Sequence, residues 1–283
     1  MKGWNSVEKP TLLNLNEIQQ VYLELLGEFD LVCRHHGLRY DLCGGSMLGA
    51  VRHKGYIPWD NDIDLSMPRP DYERLLALKL EGKLQMPAHR DLVSDRDETF
   101  PRHFARFVRH DVKRVADMAE DWDCPYIGID IFPLDGVSED DKVFHRQVKK
   151  IRQLRRFLLT SVEKAGTSRR GKAAAMVKNL YRPILRAIGC FRFARMLDKE
   201  CQRVDYETAE YVGIISGMYG LKERWRKADM LPQAQFQFEN LQAPGFANYD
   251  IYLTNLYGDY MKLPPKEQQV PHCDDAYRVP LES

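Results

Sequence analysis

The sequence predicts a mixed α/β fold with α+β character, in which a sheet is flanked by helices and interrupted by a basic helical insertion. Apolar residues recur at three-and-four spacing over residues 17–33, which is typical of the buried face of a helix. Several short segments alternate between apolar and polar residues, as half-buried strands do. A long basic stretch follows a capping pattern at Ser138, with an acid at Asp141, and is predicted to be helical to about residue 209.

The N-terminal part alternates predicted helices and strands. Asn16 and Gly37 are the predicted ends of the first helix. A strand over 38–43 runs directly into Gly44-Gly45-Ser46, which predicts a tight turn before a helix over 46–53. The next predicted elements are a strand over 62–67, a helix over 71–80 that begins near Pro70, and strands over 104–115 and 126–134.

The chain divides into three predicted regions. Residues 1–137 form the catalytic core, residues 138–210 form the basic helical region, and residues 211–283 pack back on the core. Breaks in the helical region are expected at residues 166–171 and at Pro183. The C-terminal region is predicted to contain a helix over 249–257, followed by an irregular segment.

The composition is that of a folded protein. Apolar residues make up 44% and charged residues 29% of the 283 residues. No stretch approaches the roughly 18 to 20 apolar residues that a membrane span needs, and the N-terminus has no apolar signal core. Six scattered cysteines without a C-x-x-C pair argue against a zinc ribbon and a disulfide framework. We therefore expect a cytoplasmic protein.

The charge is unevenly distributed along the chain. Residues 142–203 contain 18 Lys or Arg and 3 acids, a net +15, whereas the rest of the chain carries −14. This asymmetry suggests a basic surface for an anionic partner, such as the inner surface of a membrane or a phosphorylated polymer. A solvated helical face that pairs partly with acids elsewhere is the open alternative. No nucleic-acid partner is expected.

Asp62 and Asp64 are the strongest candidates for chemistry. On a strand they project from one face, whereas Ile63 and Leu65 project from the other. Two adjacent carboxylates repel each other unless a cation neutralises them, and Mg²⁺ or Mn²⁺ suits such hard oxygen ligands. A calcium loop of the EF-hand type is excluded because Leu65 and Asp71 stand where Gly and Glu are required. A solvated cluster on an edge strand is the structural alternative.

The turn at Gly44-Gly45-Ser46 is a candidate phosphate site. It lies between a strand and a predicted helix, where backbone N–H groups and a helix N-terminus can bind phosphate. Arg52 and Lys54 follow within the same motif and could neutralise phosphate oxygens, although each could equally be a surface residue.

Asp130 is a third candidate acid. It lies inside an apolar predicted strand, on the face opposite Ile127, Ile129 and Ile131. A buried unpaired carboxylate is costly, so we expect Asp130 to be ion-paired or bound to metal. Asp135 follows Pro133 and is interpreted as a turn residue.

Three separated motifs, GGSMLGAVRHKGYIPWDNDIDLSMPRPDYERL, GIDIFPLDG and LYGDYMKLPP, resemble the LicD family of phosphocholine transferases and, more distantly, the fukutin-related proteins. The resemblance implies a nucleotidyltransferase-like core in which Gly45 and Ser46 hold the donor phosphates. It implies that Asp62 and Asp64 bind a divalent metal and that Asp130 is the third acid. It also implies a cytidine diphosphate donor such as CDP-choline, and transfer of phosphocholine or a related phospho-alcohol to a glycan hydroxyl, as in lipopolysaccharide or teichoic acid.

Some features leave alternatives open. Tyrosines beside Asp259 could cradle a quaternary ammonium group or simply hold the C-terminus on the core, which is the favoured interpretation. His272 is expected to be packed rather than catalytic. Competing functions are a true nucleotidyltransferase, a nucleotide-sugar glycosyltransferase that uses the D-x-D motif, and a non-catalytic binder of anionic polymers or membrane surfaces.

Overall fold

A mixed sheet flanked by helices confirms the predicted fold class. The structure, a computed structural model, describes residues 11–115, 124–164, 172–270 and 275–281. In this part of the chain the helices are α1 Leu15–His36, α2 Gly44–His53, α3 Arg69–Leu80, α4 Asp141–Val162, α5 Lys172–Ile188, α6 Cys190–Cys201, α7 Lys227–Met230 and α8 Tyr249–Tyr257. The strands are β1 Asp41–Leu42, β2 Asp64–Pro68, β3 Arg90–Val93, β4 Ala105–Arg114, β5 Tyr126–Val137, β6 Tyr211–Gly213, β7 Trp225–Arg226, β8 Gln233–Phe238, β9 Leu241–Phe246 and β10 Ala276–Arg278.

The sheet brings together segments that are far apart in the sequence. Its main strand order is β10-β4-β5-β2-β1-β9-β8, with β3 on β4 and with β6 pairing the C-terminal end of β5. Strand β2 is parallel to β5, and Asp64 is the register partner of Asp130. Because neighbouring strands lie about 4.8 Å apart, this register makes two of the predicted site acids adjacent.

Helix α1 begins two residues before the position that the sequence predicted. Asn14, rather than Asn16, is its N-cap, and Asn14 and Glu17 form a reciprocal capping box. Asn16 lies inside the first turn, so the predicted cap was wrong. The reciprocal bonds with Glu17 decide the position, because only a residue three before the Glu can form them. Gly37 ends the helix with φ 62°, as predicted.

Several other predicted boundaries shift. The strand predicted over 38–43 is reduced to Asp41–Leu42, and the strand predicted over 62–67 begins at Asp64, so Asp62 lies in the preceding loop. Helix α2 begins at Gly44, and helix α4 is capped by Asp140 rather than Ser138. Asp135 is not a turn residue, because β5 continues to Val137 and pairs there with β6.

The helices of the basic region have their own apolar core. One large cluster joins α1, α2, α3 and the sheet, and a second joins α4 and α6 with Val137 and Ile215. The buried side chain of Arg69 connects the two parts, since it binds Asp135 on β5 and Asp198 on α6. The domain boundaries at residues 137 and 210 stay a prediction. Among the described residues, none of the helices combines the length and apolarity needed to span a bilayer.

Candidate active site

A pocket of about 450 Å³ opens where the N-terminus of α2 meets the sheet. Gly44, Gly45, Asp62, Asp64 and Asp130 all line it. The structure therefore brings together the predicted phosphate turn, the predicted metal-binding pair and the predicted third acid.

Two glycines shape the end of α2 that faces the pocket. Gly44 has φ 53°, a left-handed conformation in which other residues are strained. A Cβ on Gly45 would lie 3.0 Å from Oδ2 of Asp60, so the absence of a side chain allows that carboxylate to approach the helix. The N-terminus of a helix favours negative charge, and here it faces a group of carboxylates.

Ser46 positions the acid strand. Its Oγ accepts a hydrogen bond of 2.9 Å from the backbone N of Asp64, and the residue is buried. Ser46 is not among the residues that line the pocket. The contact fixes β2 against α2, and the role of Ser46 in holding a donor phosphate stays a prediction.

The carboxylates beside α2 repel one another. Burial, together with the charges of Asp62, Asp130 and Asp60, raises the pKa of Asp64 well above its ordinary value, and Arg106 opposes this rise. Burial and the neighbouring Asp62 raise the pKa of Asp60 to about 7. A cation bound here would offset the energetic cost of burying these carboxylates and the repulsion between them.

Asp130 is held by a guanidinium. Nε and Nη2 of Arg106 donate to its two carboxylate oxygens at 2.5 and 3.1 Å, so the predicted ion pairing is observed, although Asp130 is half-buried rather than fully buried. Within the described ranges, no three His, Cys, Asp or Glu side chains are clustered closely enough to hold a metal ion. The assignment of Asp130 as a third metal ligand stays an untested prediction.

Arg52 and Lys54 are not brought to the pocket lining. They lie at the C-terminal end of α2, where Nη1 of Arg52 donates to the carbonyl oxygen of Tyr260 at 2.7 Å. Lys54 is the left-handed C-cap of the helix and its carbonyl accepts from Glu239. A ten-residue helix is about 15 Å long, which separates both cations from Gly44.

Other residues, which the sequence did not single out, supply the remaining polar groups of the pocket. Arg102 and Arg155 line it, and Nη1 of Arg155 donates to the carbonyls of Ser216 and Gly217 at 3.3 and 2.7 Å. His103 is buried, which lowers its pKa to about 3 and leaves it neutral. Glu223 is buried in the same wall. These residues lie tens of positions away from the sequence motifs, so no local pattern indicated that they belong to the pocket.

The C-terminal motif packs against the wall of the pocket, and its Asp259 does not line the pocket. The hydroxyl of Tyr257 lies 2.7 Å from that of Tyr219, which lines the pocket, whereas Asp259 is exposed and outside the lining. The bond from Arg52 to Tyr260 ties this segment to α2. These contacts support the interpretation that the tyrosines hold the C-terminus on the core. His272 lies outside the described residues.

Comparison with known proteins agrees with the geometry. A family model described as "LicD/FKTN/FKRP, nucleotidyltransferase domain" matches residues 37–167, which include the turn, the acid pair and Asp130. The chain is also 31% identical over 94% of its length to the lipopolysaccharide cholinephosphotransferase LicD of Haemophilus influenzae, 98% of which is covered. The chain belongs to the LicD family. This membership confirms the prediction of a LicD-like phosphotransferase.

More distant relatives of this LicD-family chain match only a short segment. The ribitol 5-phosphate transferases FKRP of human and mouse are each 61% identical over 31 residues, which is 11% of this chain and 6% of the relative. The similarity to the FKRP proteins is therefore confined to this segment of 31 residues.

The donor set of the LicD-family pocket fits a hard divalent cation that shares its coordination with a substrate. Asp62 and Asp64 supply carboxylate oxygens, and burial together with the neighbouring carboxylates raises the pKa of Asp64, which a bound cation would counteract. Mg²⁺ commonly binds through one or two carboxylates together with substrate phosphates. The residues therefore fit such a cation better than they fit an all-protein cage.

Proposed function

We propose that this chain transfers phosphocholine, or a similar phospho-alcohol, from a CDP-linked donor to a hydroxyl of a cell-surface glycan such as lipopolysaccharide or teichoic acid. The observation that carries the proposal is the meeting of Gly44 and Gly45 with Asp62 and Asp64 in one pocket. The relative that covers almost the whole chain is named as a lipopolysaccharide cholinephosphotransferase, which supports the donor alcohol and the acceptor.

Asp62 and Asp64 would hold Mg²⁺ or Mn²⁺. When bound, the cation would neutralise charge on the donor phosphates and polarise the transferred phosphoryl group. Arg102 and Arg155 are the guanidinium groups of the pocket lining, and we assign to them the neutralisation of the remaining phosphate oxygens. The N-terminus of α2 adds the backbone dipoles at Gly44 and Gly45.

The transfer is a substitution at phosphorus. The oxygen of the acceptor hydroxyl forms a new bond to the phosphorus that carries choline, and the bond from this phosphorus to the bridging oxygen breaks, so cytidine monophosphate leaves. We assign to Asp130 the role of accepting the hydroxyl proton. The carboxylate of Asp130 lines the pocket, and two hydrogen bonds from Arg106 fix the orientation of this carboxylate.

Transfer from CDP-choline labelled separately in cytidine and choline tests this proposal. Asp62→Asn and Asp64→Asn should each reduce turnover by about 10³-fold or more while the far-UV circular dichroism and melting temperature are preserved. Asp259→Asn, which alters an exposed acid outside the pocket, is the matched control and should retain activity.

The label on the product separates the alternatives. Choline without cytidine on the glycan supports the proposal, whereas cytidine on the product would identify a nucleotidyltransferase instead. Retention of full turnover in the Asp62→Asn, Asp64→Asn double variant would overturn the metal site. A non-catalytic polymer binder would show salt-sensitive glycan binding and no transfer by the unaltered chain.

We propose in addition that the chain binds peripherally to the inner face of the membrane, where a lipid-linked acceptor would be presented. Helix α5 supports this proposal because Met176, Leu180, Ile184 and Ile188 repeat every four residues and are 78%, 83%, 64% and 39% exposed. The surrounding region carries the net charge of +15, and an exposed apolar stripe in a basic region is typical of a helix that lies in the interface of an anionic bilayer.

Vesicle flotation tests this surface. Binding to vesicles that contain anionic phospholipid should be lost in a Leu180→Ser, Ile184→Ser variant. The double substitution Leu31→Ser, Leu80→Ser, which replaces exposed leucines of α1 and α3, is the matched control. Equal vesicle binding by both variants would contradict the assignment to α5.

A further inference from the structure

Glu223 is a buried carboxyl group with no ion-pair partner in the part of the chain that the structure describes. The residue is only 2% exposed, and its Oε2 accepts no hydrogen bond from the described residues. Its other stabilising contact is with the backbone of Ile214, and burial raises its pKa to about 8. An isolated carboxylate in such a position is destabilising unless a ligand compensates it.

The two basic residues that flank Glu223 in the chain bind elsewhere. Lys222 donates to the carbonyl of Leu256, and Arg224 donates to Asp141. Since His103 is neutral, it brings no positive charge either. Glu223 nevertheless lines the same pocket as Asp62 and Asp64, so a cation brought by the substrate can reach it.

Aromatic rings surround this part of the pocket. Tyr219 and Tyr252 line it together with Glu223, and burial raises the pKa of both phenols, with a smaller contribution from the charge of Glu223. Neither ring is free to turn away. The Tyr219 hydroxyl is hydrogen-bonded to Tyr257, and the Tyr252 ring packs 4.9 Å from that of Trp225.

Tyr252 also connects this wall to the phosphate turn. Its hydroxyl accepts a hydrogen bond of 2.8 Å from the backbone N of Gly44. A ligand with its phosphate at Gly44 and Gly45 would therefore have its next few atoms beside the tyrosines and Glu223.

We propose that Glu223, with the rings of Tyr219 and Tyr252, forms the subsite for the positively charged group of the donor alcohol, a quaternary ammonium such as that of choline. A quaternary ammonium has no N–H to donate, so it is recognised by a nearby carboxylate and by aromatic faces rather than by hydrogen bonds. The assignment rests on the proposed function, since it places the transferred alcohol in the proposed donor pocket. It makes Glu223 a residue that determines specificity for a cationic over a neutral alcohol.

Donor discrimination tests the subsite. In Glu223→Gln, kcat/KM for CDP-choline should fall about 10- to 100-fold, mainly through KM, because the paired charge is lost. The same variant should use the neutral donor CDP-glycerol no worse than the unaltered chain does. An equal loss with both donors would overturn the proposal.

Two substitutions of Tyr219 distinguish the contribution of the aromatic ring from that of the hydroxyl group. Tyr219→Phe retains the aromatic face and should retain discrimination between the two donors, whereas Tyr219→Leu should lose it. If Tyr219→Leu discriminates as well as the unaltered chain, the aromatic part of the proposal is wrong.

A binding measurement on the unaltered chain is independent of turnover and of the folding of any variant. Choline should compete with CDP-choline for the pocket, whereas its neutral isostere 3,3-dimethylbutan-1-ol should not, as measured by titration calorimetry. Equal competition by both compounds, or by neither, would overturn the subsite. Competition by choline without any transfer activity would retain the subsite and reject the proposed function.

Discussion

Single hydrogen bonds decide where the reactive groups of this pocket lie. The Asp64 carboxylate depends on its backbone, and that backbone is held by the hydroxyl of Ser46. Gly44 depends similarly on Tyr252, more than two hundred residues away. The geometry of the pocket therefore depends on single hydrogen bonds to side chains of other elements.

Removal of the Ser46 hydroxyl should cost both stability and activity. Ser46→Ala leaves the partly buried N–H of Asp64 without its acceptor, which should lower the free energy of unfolding by about 1–3 kcal/mol. We also expect transfer to slow about tenfold or more, because Asp64 is displaced. Urea unfolding and initial rates measure the two effects. Ser66→Ala is the control, since the Ser66 hydroxyl is buried on the strand of Asp64 with no hydrogen-bond partner among the residues described, and a similar loss there would contradict the explanation.

The carboxyl of Glu223 should make stability depend on pH. Its pKa is about 8 in the folded chain and 4.5 as the ordinary value, so the folded state binds the proton more tightly. The resulting stability is fully present below pH 4.5 and is lost as the pH rises through 8.

Glu223→Gln removes this dependence. The free energy of unfolding of the variant should therefore exceed that of the unaltered chain by an amount that grows between pH 5 and pH 9, to the order of a few kcal/mol. Thermal unfolding over this pH range measures the difference. Glu267→Gln, at an exposed position, should show no such trend. A constant difference across the range for Glu223→Gln would show that this carboxyl does not titrate as described.

At the scale of elements, helix ends are decided by reciprocal bonds rather than by residue type. Asn14 and Asn16 are both acceptable caps by composition, but only Asn14 stands three residues before Glu17. The sequence pattern therefore identified the helix correctly and placed its first residue wrongly.

Two asparagine substitutions test this boundary. Asn14→Ala should lower the free energy of unfolding by about 1 kcal/mol, because an N-terminal N–H loses its acceptor. Asn16→Ala should change it by less than about 0.5 kcal/mol, since Asn16 is an exposed residue within the helix. Chemical denaturation of both variants measures the difference. A larger loss of unfolding free energy for Asn16→Ala than for Asn14→Ala would identify Asn16 as the N-cap instead.

At the scale of the whole molecule, one buried ion network joins the sheet to the helices of the basic region. Arg69 on α3 binds Asp135 at 2.7 and 3.0 Å and Asp198 at 2.9 Å. Arg96 binds the second oxygen of Asp198. Burial raises the pKa of Asp135 to about 6 although Arg69 opposes the rise, so this acid depends strongly on its partner.

Loss of the central guanidinium should destabilise the entire chain. Arg69→Met leaves the buried Asp135 without its cation, removes one of the two cations of Asp198, and should lower the free energy of unfolding by about 3–5 kcal/mol. Arg195→Met, which breaks an exposed pair with Glu98, should cost less than about 1 kcal/mol. Calorimetry of both variants checks this contrast, and comparable losses would show that the network does not join the two parts.

The sequence by itself determined the fold class, the family and three acids of the pocket, Asp62, Asp64 and Asp130. Residues 44–67 contain both the turn and the acid pair, and periodicity within short windows identifies helices and strands. Local signals of this kind need no knowledge of distant contacts. The strands β8, β9 and β10 were missed. Strand β9 pairs with β1 and β10 pairs with β4, both far away in the chain, whereas β8 pairs with its sequence neighbour β9.

Only the tertiary structure decided which groups share the pocket. Parallel pairing of β2 with β5 makes Asp64 and Asp130 neighbours, and antiparallel pairing of β4 with β5 places Arg106 opposite Asp130. The same folding leaves Arg52 at the far end of α2 and brings in Arg155 and Glu223, which belong to other elements. The physical reason is that charge compensation and burial depend on distances in space, and a one-dimensional pattern contains those distances only for residues on the same strand or helix.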